Sequence, residues 1–135
     1  MRIAPDTNIL VRMAVHDDPA QSAQALGLVE QSEAIILTLP ALCEFAWVIR
    51  GRYRLHAHEA SEAIRELIGT EGVVVDRDAV AAGLVFLDSG GDFADGVIAH
   101  LGHVGGADAF ASFDRKAVQI LRARGGQAIL LGAES

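Results

Sequence analysis

The chain has 135 residues, and 51% of them are hydrophobic, which excludes a disordered chain and favours one domain with a real core. Its formal net charge is −7, from 18 acidic and 11 basic residues, which argues against a protein that grips nucleic acid by bulk positive charge. Acids that hold a metal ion remain compatible with this charge, because bound cations reverse the local field. The single cysteine, Cys43, excludes an internal disulfide and a cysteine-built zinc site, and it fits a reducing cytoplasm.

The N-terminus and the longest apolar stretch indicate neither secretion nor membrane insertion. Asp6 and Arg12 come too early for the apolar region of a signal peptide, and no cleavage pattern follows them. The longest apolar stretch, residues 34–49, contains Pro40 and Glu44 and is too short to span a bilayer. We therefore predict a cytoplasmic protein without membrane association.

Short apolar runs alternate with helical patterns along the whole chain. The predicted strands cover residues 2–5, 34–38, 73–75, 109–111 and 127–131. The predicted helices cover residues 19–31, 40–52, 56–68, 78–87, 92–104 and 114–124, and Asp18, Asp78, Asp92 and Asp114 mark four of the starts. This alternation is typical of a parallel sheet with helices on both faces. It predicts a single α/β domain over residues 1–135, a three-layer sandwich of about five short strands joined by right-handed crossovers.

Four acids lie at the ends of predicted strands or in the early turns of predicted helices. Asp6 ends the first strand, and Asp114 follows the fourth. Glu44 is the only charged residue between Ala34 and Ile49, and Asp95 lies three residues after Asp92 at a helix start. Taken singly, the three aspartates are explained as helix caps or first-turn acids and Glu44 as a flank residue that reaches solvent.

In a doubly wound sheet these four positions lie along one rim, so the carboxylates are expected to be close together. Two like charges about 4 Å apart repel by roughly 4 kcal/mol at an effective dielectric constant of 20. Such a cluster needs a hard dication, and ligation by oxygen alone selects Mg²⁺ or Mn²⁺. Metal ions on carboxylates polarise a phosphodiester, lower the pKa of bound water and stabilise the leaving oxygen. The pattern therefore predicts metal-assisted phosphodiester hydrolysis.

The same residues resemble the PIN domain, and most closely the VapC-type toxins of bacterial toxin–antitoxin systems. The resemblance lies in MRIAPDTNILVR, Leu42-Cys43-Glu44-Phe45, Asp92-Phe93-Ala94-Asp95 and Ser112-Phe113-Asp114, and it covers essentially the whole chain. It implies a Mg²⁺-dependent endoribonuclease that cuts RNA, forms a homodimer and is neutralised by a small cognate antitoxin. It also implies that the first strand is central in the sheet.

The resemblance carries the family's catalytic and metal-binding acids over to four positions of this sequence, Asp6, Glu44, Asp95 and Asp114. Its supporting polar positions correspond to Thr7, Asn8 and Ser112, while Asp92 supports Asp95 from the same helix face. Two residues depart from the family pattern. Pro5 replaces an ordinary apolar strand residue and removes one backbone donor, and Ser112 stands where threonine is common.

Two further features concern binding. The densest basic cluster consists of Arg50, Arg52 and Arg54, which are candidates to bind RNA phosphates. The alternative is that their positive charges only stabilise the C-terminus of the helix. Trp47 lies off the apolar stripe of its helix, so it is a candidate interface anchor, with burial in the core of its own protomer as the alternative.

Two other functions fit an acidic Mg²⁺ pocket on a short α/β sheet. A phospho-acceptor signalling domain would need a lysine at the end of a late strand, whereas the only lysine, Lys116, falls inside a predicted helix. A PIN-like binding protein without activity is the other alternative, but all four acids are present.

Overall fold

The computed structural model describes residues 1–132 as two compact units, Met1–Asp76 and a second that begins at Arg77. Helices and short parallel strands alternate in both, so the α/β class predicted from the sequence is confirmed.

The first unit contains a small parallel sheet and four helices. Its strands pair in the order β1-β2-β3, with Ile35 of β2 opposite both Ile3 and Val73. Its elements in chain order are β1 (Arg2–Ile3), α1 (Thr7–Ala14), α2 (Pro19–Gln31), β2 (Ala34–Ile36), α3 (Leu39–Gly51), α4 (Ala57–Ile68) and β3 (Val73–Val74).

The second unit contains three helices and a parallel strand pair within its described residues. In that pair Ala111 lies opposite Ile129. Its elements in chain order are α5 (Arg77–Asp88), α6 (Phe93–Val104), β4 (Phe110–Ser112), α7 (Arg115–Ala123) and β5 (Ala128–Leu130).

The predicted single five-stranded sheet with a central first strand is not what the hydrogen bonds show. Within residues 1–132 the strands form one sheet of three and one of two, and β2 is the central strand of the larger sheet. β1 is limited to Arg2–Ile3. Pro5 has no backbone N–H to donate to β2, so the hydrogen bonds between β1 and β2 cannot continue past it, and the strand is short for this reason.

Three of the four aspartates predicted to start helices are caps in the structure. Asp18 caps α2 with Pro19 at its first position, and Asp92 and Asp114 cap α6 and α7. The predicted cap at Asp78 is wrong, because α5 begins at Arg77 and Asp78 lies in its first turn. Helix α1 is absent from the sequence prediction, although Asp6 accepts a hydrogen bond from the Ile9 N–H as an ordinary N-cap.

The core of the first unit forms around one face of α3. Leu42, Phe45 and Ile49 of that helix are fully buried, together with Leu10 of α1 and Ile64 of α4. Burying side chains of this size contributes about 1.5–3 kcal/mol each. This packing places the opposite flank of α3, which carries Glu44, at the surface.

Helices α5 and α6 approach each other closely at two glycines in the second unit. A Cβ on Gly96 would lie 2.4 Å from the Ala82 carbonyl oxygen, and one on Gly83 would lie 2.6 Å from the Phe93 ring. The fully buried Phe93 fills the space that Gly83 leaves open. The Asp95 backbone is therefore held by the helix contact at its neighbour Gly96.

No helix within residues 1–132 combines the length and the apolar character needed to cross a membrane.

Candidate functional site

In the first unit, the start of α1 and the second turn of α3 bring two of the predicted acids to one place. The Thr7 Oγ1 donates a hydrogen bond to the Glu44 Oε1 at 2.5 Å, across 37 residues of sequence. The Asp6 Oδ1 accepts from the Ile9 N–H at 3.1 Å, which orients the carboxylate and leaves its second oxygen without a cap bond. Asp6 is therefore both a helix cap and an exposed carboxylate with one oxygen available to a ligand.

A pocket of about 350 Å³ lies over these residues. Its lining combines both acids with two arginines and an aromatic ring, so it offers groups for a cation and for an anion. The lining residues are Asp6, Thr7, Asn8, Val11, Arg12, Glu44, Val48, Arg52 and Tyr53.

In the second unit, three aspartates lie at two helix N-termini. Asp92 caps α6 by accepting from the Ala94 N–H, and Asp95 lies in the first turn of the same helix. Asp114 caps α7 by accepting from the Ala117 N–H at 3.1 Å. The Ser112 Oγ accepts a hydrogen bond from the Asp114 N–H at 2.9 Å, so Ser112 holds the backbone that carries this acid.

The ionised form of the Asp95 carboxyl is disfavoured by its surroundings. Its partial burial raises the pKa of its carboxyl above the ordinary 3.8, and the charges of Asp92 and Asp114 raise it further. The Asp95 carboxyl therefore lies close enough to Asp92 and Asp114 for their negative charges to disfavour its ionisation. A bound cation would remove this repulsion, because it favours the ionised form.

We expect Asp95→Asn to stabilise the metal-free protein at neutral pH. A carboxyl whose pKa is raised on folding contributes stability below its unfolded pKa of 3.8 and loses that contribution as pH rises through the folded pKa. Asparagine removes this cost at neutral pH, and solvent screening keeps the gain in stability small. Thermal melts in chelator should show the gain at pH 7 and its disappearance below about pH 4.

The control for this substitution is Asp108→Asn, at an exposed acid outside the three carboxylates, and it should show no such pH-dependent gain. A lower melting temperature for Asp95→Asn at pH 7 would mean that Asp95 serves α6 chiefly as a first-turn acid.

The chemistry of the acids suits a metal ion better than their number does. Neither unit, over its described residues, brings three or more His, Cys, Asp or Glu side chains within joint reach of a metal ion. All four predicted ligands supply hard oxygen donors, however, and Mg²⁺ keeps several waters and binds proteins through one or two carboxylates. The pair at Asp6 and Glu44 and the acids around Asp95 fit that requirement.

The three predicted RNA-binding arginines lie in different environments. The Arg50 Nη1 donates to the Leu55 carbonyl at 2.8 Å and so ties down the turn after α3. Arg52 lines the pocket beside Glu44. Arg54 adopts a left-handed backbone conformation, with φ of 56°, at a position where glycine is usual.

Sequence reasoning missed three residues of this region. Arg12 in the last turn of α1 forms an ion pair with Asp17, and the Tyr53 hydroxyl donates to the Asp17 Oδ2 at 3.2 Å. The signal that could have found Arg12 is a charge among apolar residues at the end of an amphipathic helix. The pairing of Asp17 with Tyr53 spans 36 residues and has no local signal.

Trp47 is 72% exposed on α3. Burial in the core of its own protomer is therefore excluded, while coverage by another chain stays a prediction.

The carboxylates of both units are hard oxygen donors, of the kind that hold metal ions in hydrolases. The sequence matches the PIN domain family over residues 3–122, and the chain belongs to that family. PIN domains are in general metal-dependent nucleases. No curated protein is similar enough to the chain to count as a relative. The family match favours a nuclease over a phospho-acceptor domain, and Lys116 lies within α7 rather than at a strand end.

Proposed function

We propose that the protein is a Mg²⁺-dependent endoribonuclease. The observation that carries the proposal is the hydrogen bond from Thr7 to Glu44, which fixes a second carboxylate beside the capped Asp6 in a chain of the PIN family. Single-stranded RNA is the proposed substrate, and Mg²⁺ the proposed ion, with Mn²⁺ as a substitute of similar chemistry.

We propose Asp6 and Glu44 of the first unit, and Asp95 and Asp114 of the second, as ligands for Mg²⁺. When bound, it supplies Lewis-acid polarisation of the phosphodiester and a more acidic water. Thr7 donates to Glu44 and thereby orients its carboxylate towards the pocket. Ser112 accepts from the Asp114 N–H and sets the position of that acid, and Asp92 adds negative charge beside Asp95. Asn8 lines the same pocket as Asp6 and is proposed to support it by hydrogen bonding.

The test is a cleavage assay on a single-stranded RNA under three conditions: with Mg²⁺, with chelator, and with Mg²⁺ restored. The Mg²⁺ concentration is about 1 mM, which is roughly where weakly held Mg²⁺ sites fill. We expect internal cuts with Mg²⁺, none with chelator, and recovery on restoration. Cleavage that persists in chelator would point to a contaminating metal-independent ribonuclease or to a different chemistry. Absence of cleavage under all three conditions would count against the enzyme assignment.

The biological role that we propose is the toxin of a toxin–antitoxin pair in the cytoplasm, acting as a homodimer and neutralised by its cognate antitoxin. The support is the resemblance of the four acidic motifs to VapC-type toxins, together with the exposed Trp47, a residue type enriched at interface anchors. Coverage of Trp47 by a partner subunit or antitoxin segment is part of this proposal.

A further inference from the structure

The pocket of the first unit contains side chains that metal binding leaves without a role. Besides Asp6 and Glu44, its lining includes Arg12, Arg52 and Tyr53. Two guanidinium groups would repel a metal ion, because they carry positive charge and have no lone pair to offer it, and the Tyr53 ring is a stacking surface. They are the groups that proteins use to hold single-stranded nucleic acid.

Asp17 ties two of these three side chains together. It accepts from the Arg12 Nη1, and its Oδ2 accepts from the Tyr53 hydroxyl at 3.2 Å. The Arg12 side chain is only 15% exposed, and its Nε is buried without a hydrogen-bond partner. A shared carboxylate therefore holds the guanidinium of one helix and the ring of a loop in fixed positions, which is the preorganisation that tight binding requires.

Arg52 is the free cation of the pocket. Its guanidinium carbon lies 5.9 Å from the centroid of the Tyr53 ring, and within residues 1–132 it makes no ion pair with a carboxylate. The contact with the ring orients the guanidinium but leaves its N–H groups without a charged acceptor. A phosphate is the acceptor that arginine binds best after a carboxylate.

We propose that Arg52 and Tyr53 form a nucleotide subsite for single-stranded RNA next to the acids. The phosphate that flanks the scissile bond accepts hydrogen bonds from Arg52, and the adjoining base stacks on Tyr53. Asp17 acts as a positioning residue for Tyr53 and Arg12. The inference rests on the proposed function, because it assigns substrate contacts to the same site.

The pocket favours RNA over an acidic peptide for two reasons. Its volume of about 350 Å³ is at the small end of ligand pockets and suits about one nucleotide. The carboxylates of Asp6 and Glu44 repel a phosphate and a peptide carboxylate alike, whereas only a nucleotide brings a base that can stack on the Tyr53 ring while its phosphate meets Arg52.

Binding is measured by the fluorescence anisotropy of a dye-labelled single-stranded RNA in chelator, at several salt concentrations. Arg52→Gln should raise Kd about tenfold. It should also reduce the slope of log K against log salt concentration by about 0.7, the value for one phosphate contact on a single strand. Tyr53→Leu should raise Kd about tenfold, because the base loses its stacking surface. The matched control is Arg2→Gln, an exposed arginine of the same unit outside the pocket, which should change neither quantity.

Cleavage kinetics with Mg²⁺ separate positioning from structural support. Asp17→Asn should raise KM about threefold to tenfold while kcat stays within about twofold, since it loosens a binding contact and spares the acids. Asp17→Glu should recover part of that loss. If Asp17→Asn lowers kcat and KM is unchanged, or if the ratio of folded to unfolded protein accounts for the whole loss, the positioning role is wrong.

The outcomes distinguish the subsite from the proposed enzyme. If the protein binds RNA with the predicted losses but does not cut it, the subsite stands and the endoribonuclease assignment fails. If the protein cuts RNA but Arg52→Gln and Arg2→Gln lose equal affinity, or Arg52→Gln loses none, the subsite is wrong and the enzyme assignment stands.

Discussion

Asp6→Asn is expected to lower Mg²⁺-dependent RNA cleavage at least about a hundredfold while the protein remains folded. The activity falls because the substitution removes the negative charge that a hard dication requires, and a metal contribution of a few kcal/mol corresponds to a loss of this size. The fold survives because asparagine is as good an N-cap as aspartate. Its side-chain oxygen can still accept the hydrogen bond that Asp6 receives from the Ile9 N–H.

The chain offers a matched control for this substitution at Asp18. That residue caps α2 in the same unit and accepts from the Gln21 N–H at 3.1 Å, and it does not line the pocket. Asp18→Asn should therefore retain full activity. Cleavage rates are compared at saturating RNA, with melting curves measured in parallel. Wild-type activity in a folded Asp6→Asn variant would contradict the assignment of the metal ligands.

Gly96→Ala is expected to destabilise the second unit by about 1–3 kcal/mol. The new methyl group would lie 2.4 Å from the Ala82 carbonyl oxygen and 2.8 Å from the Gly83 Cα. Both are backbone atoms, so helices α5 and α6 must separate to accept it, which is the costly form of overpacking. The expected loss runs against helix propensity, which favours alanine over glycine by about 1 kcal/mol, so close packing is the simple explanation for a loss of stability.

The measurement is the free energy of unfolding from denaturant titration, and Gly27→Ala is the control. Gly27 lies within α2, and a Cβ there would meet no atom within 4 Å. It should therefore leave stability unchanged or raise it by up to about 1 kcal/mol. If Gly96→Ala unfolds at the same denaturant concentration as the wild type, α5 and α6 are not packed as closely as described.

The family and the helix starts are readable from the chain because their signals are local. Asp18-Pro19, Asp92 and Asp114 lie one to three residues from the N–H groups or helical positions that they serve, so short-range pattern is sufficient to find them. Asp78 shows the limit of this reasoning, since the same residue type one position inside a helix is no cap. Helix α1 is absent from the sequence prediction because the apolar run Ile9-Leu10-Val11 is too short for its periodicity to distinguish a strand from a helix.

The sequence by itself determined the α/β class, the PIN family and the four acids on which the proposed enzyme depends. Only the tertiary structure decided how these residues are supported. It paired Thr7 with Glu44 and joined Tyr53 to Asp17, across 37 and 36 residues. It also left Trp47 exposed and grouped the described strands into sheets of three and two. The physical reason is that capping and periodicity act within a turn or two of backbone, whereas side-chain pairing and burial depend on which segments the packed core brings together.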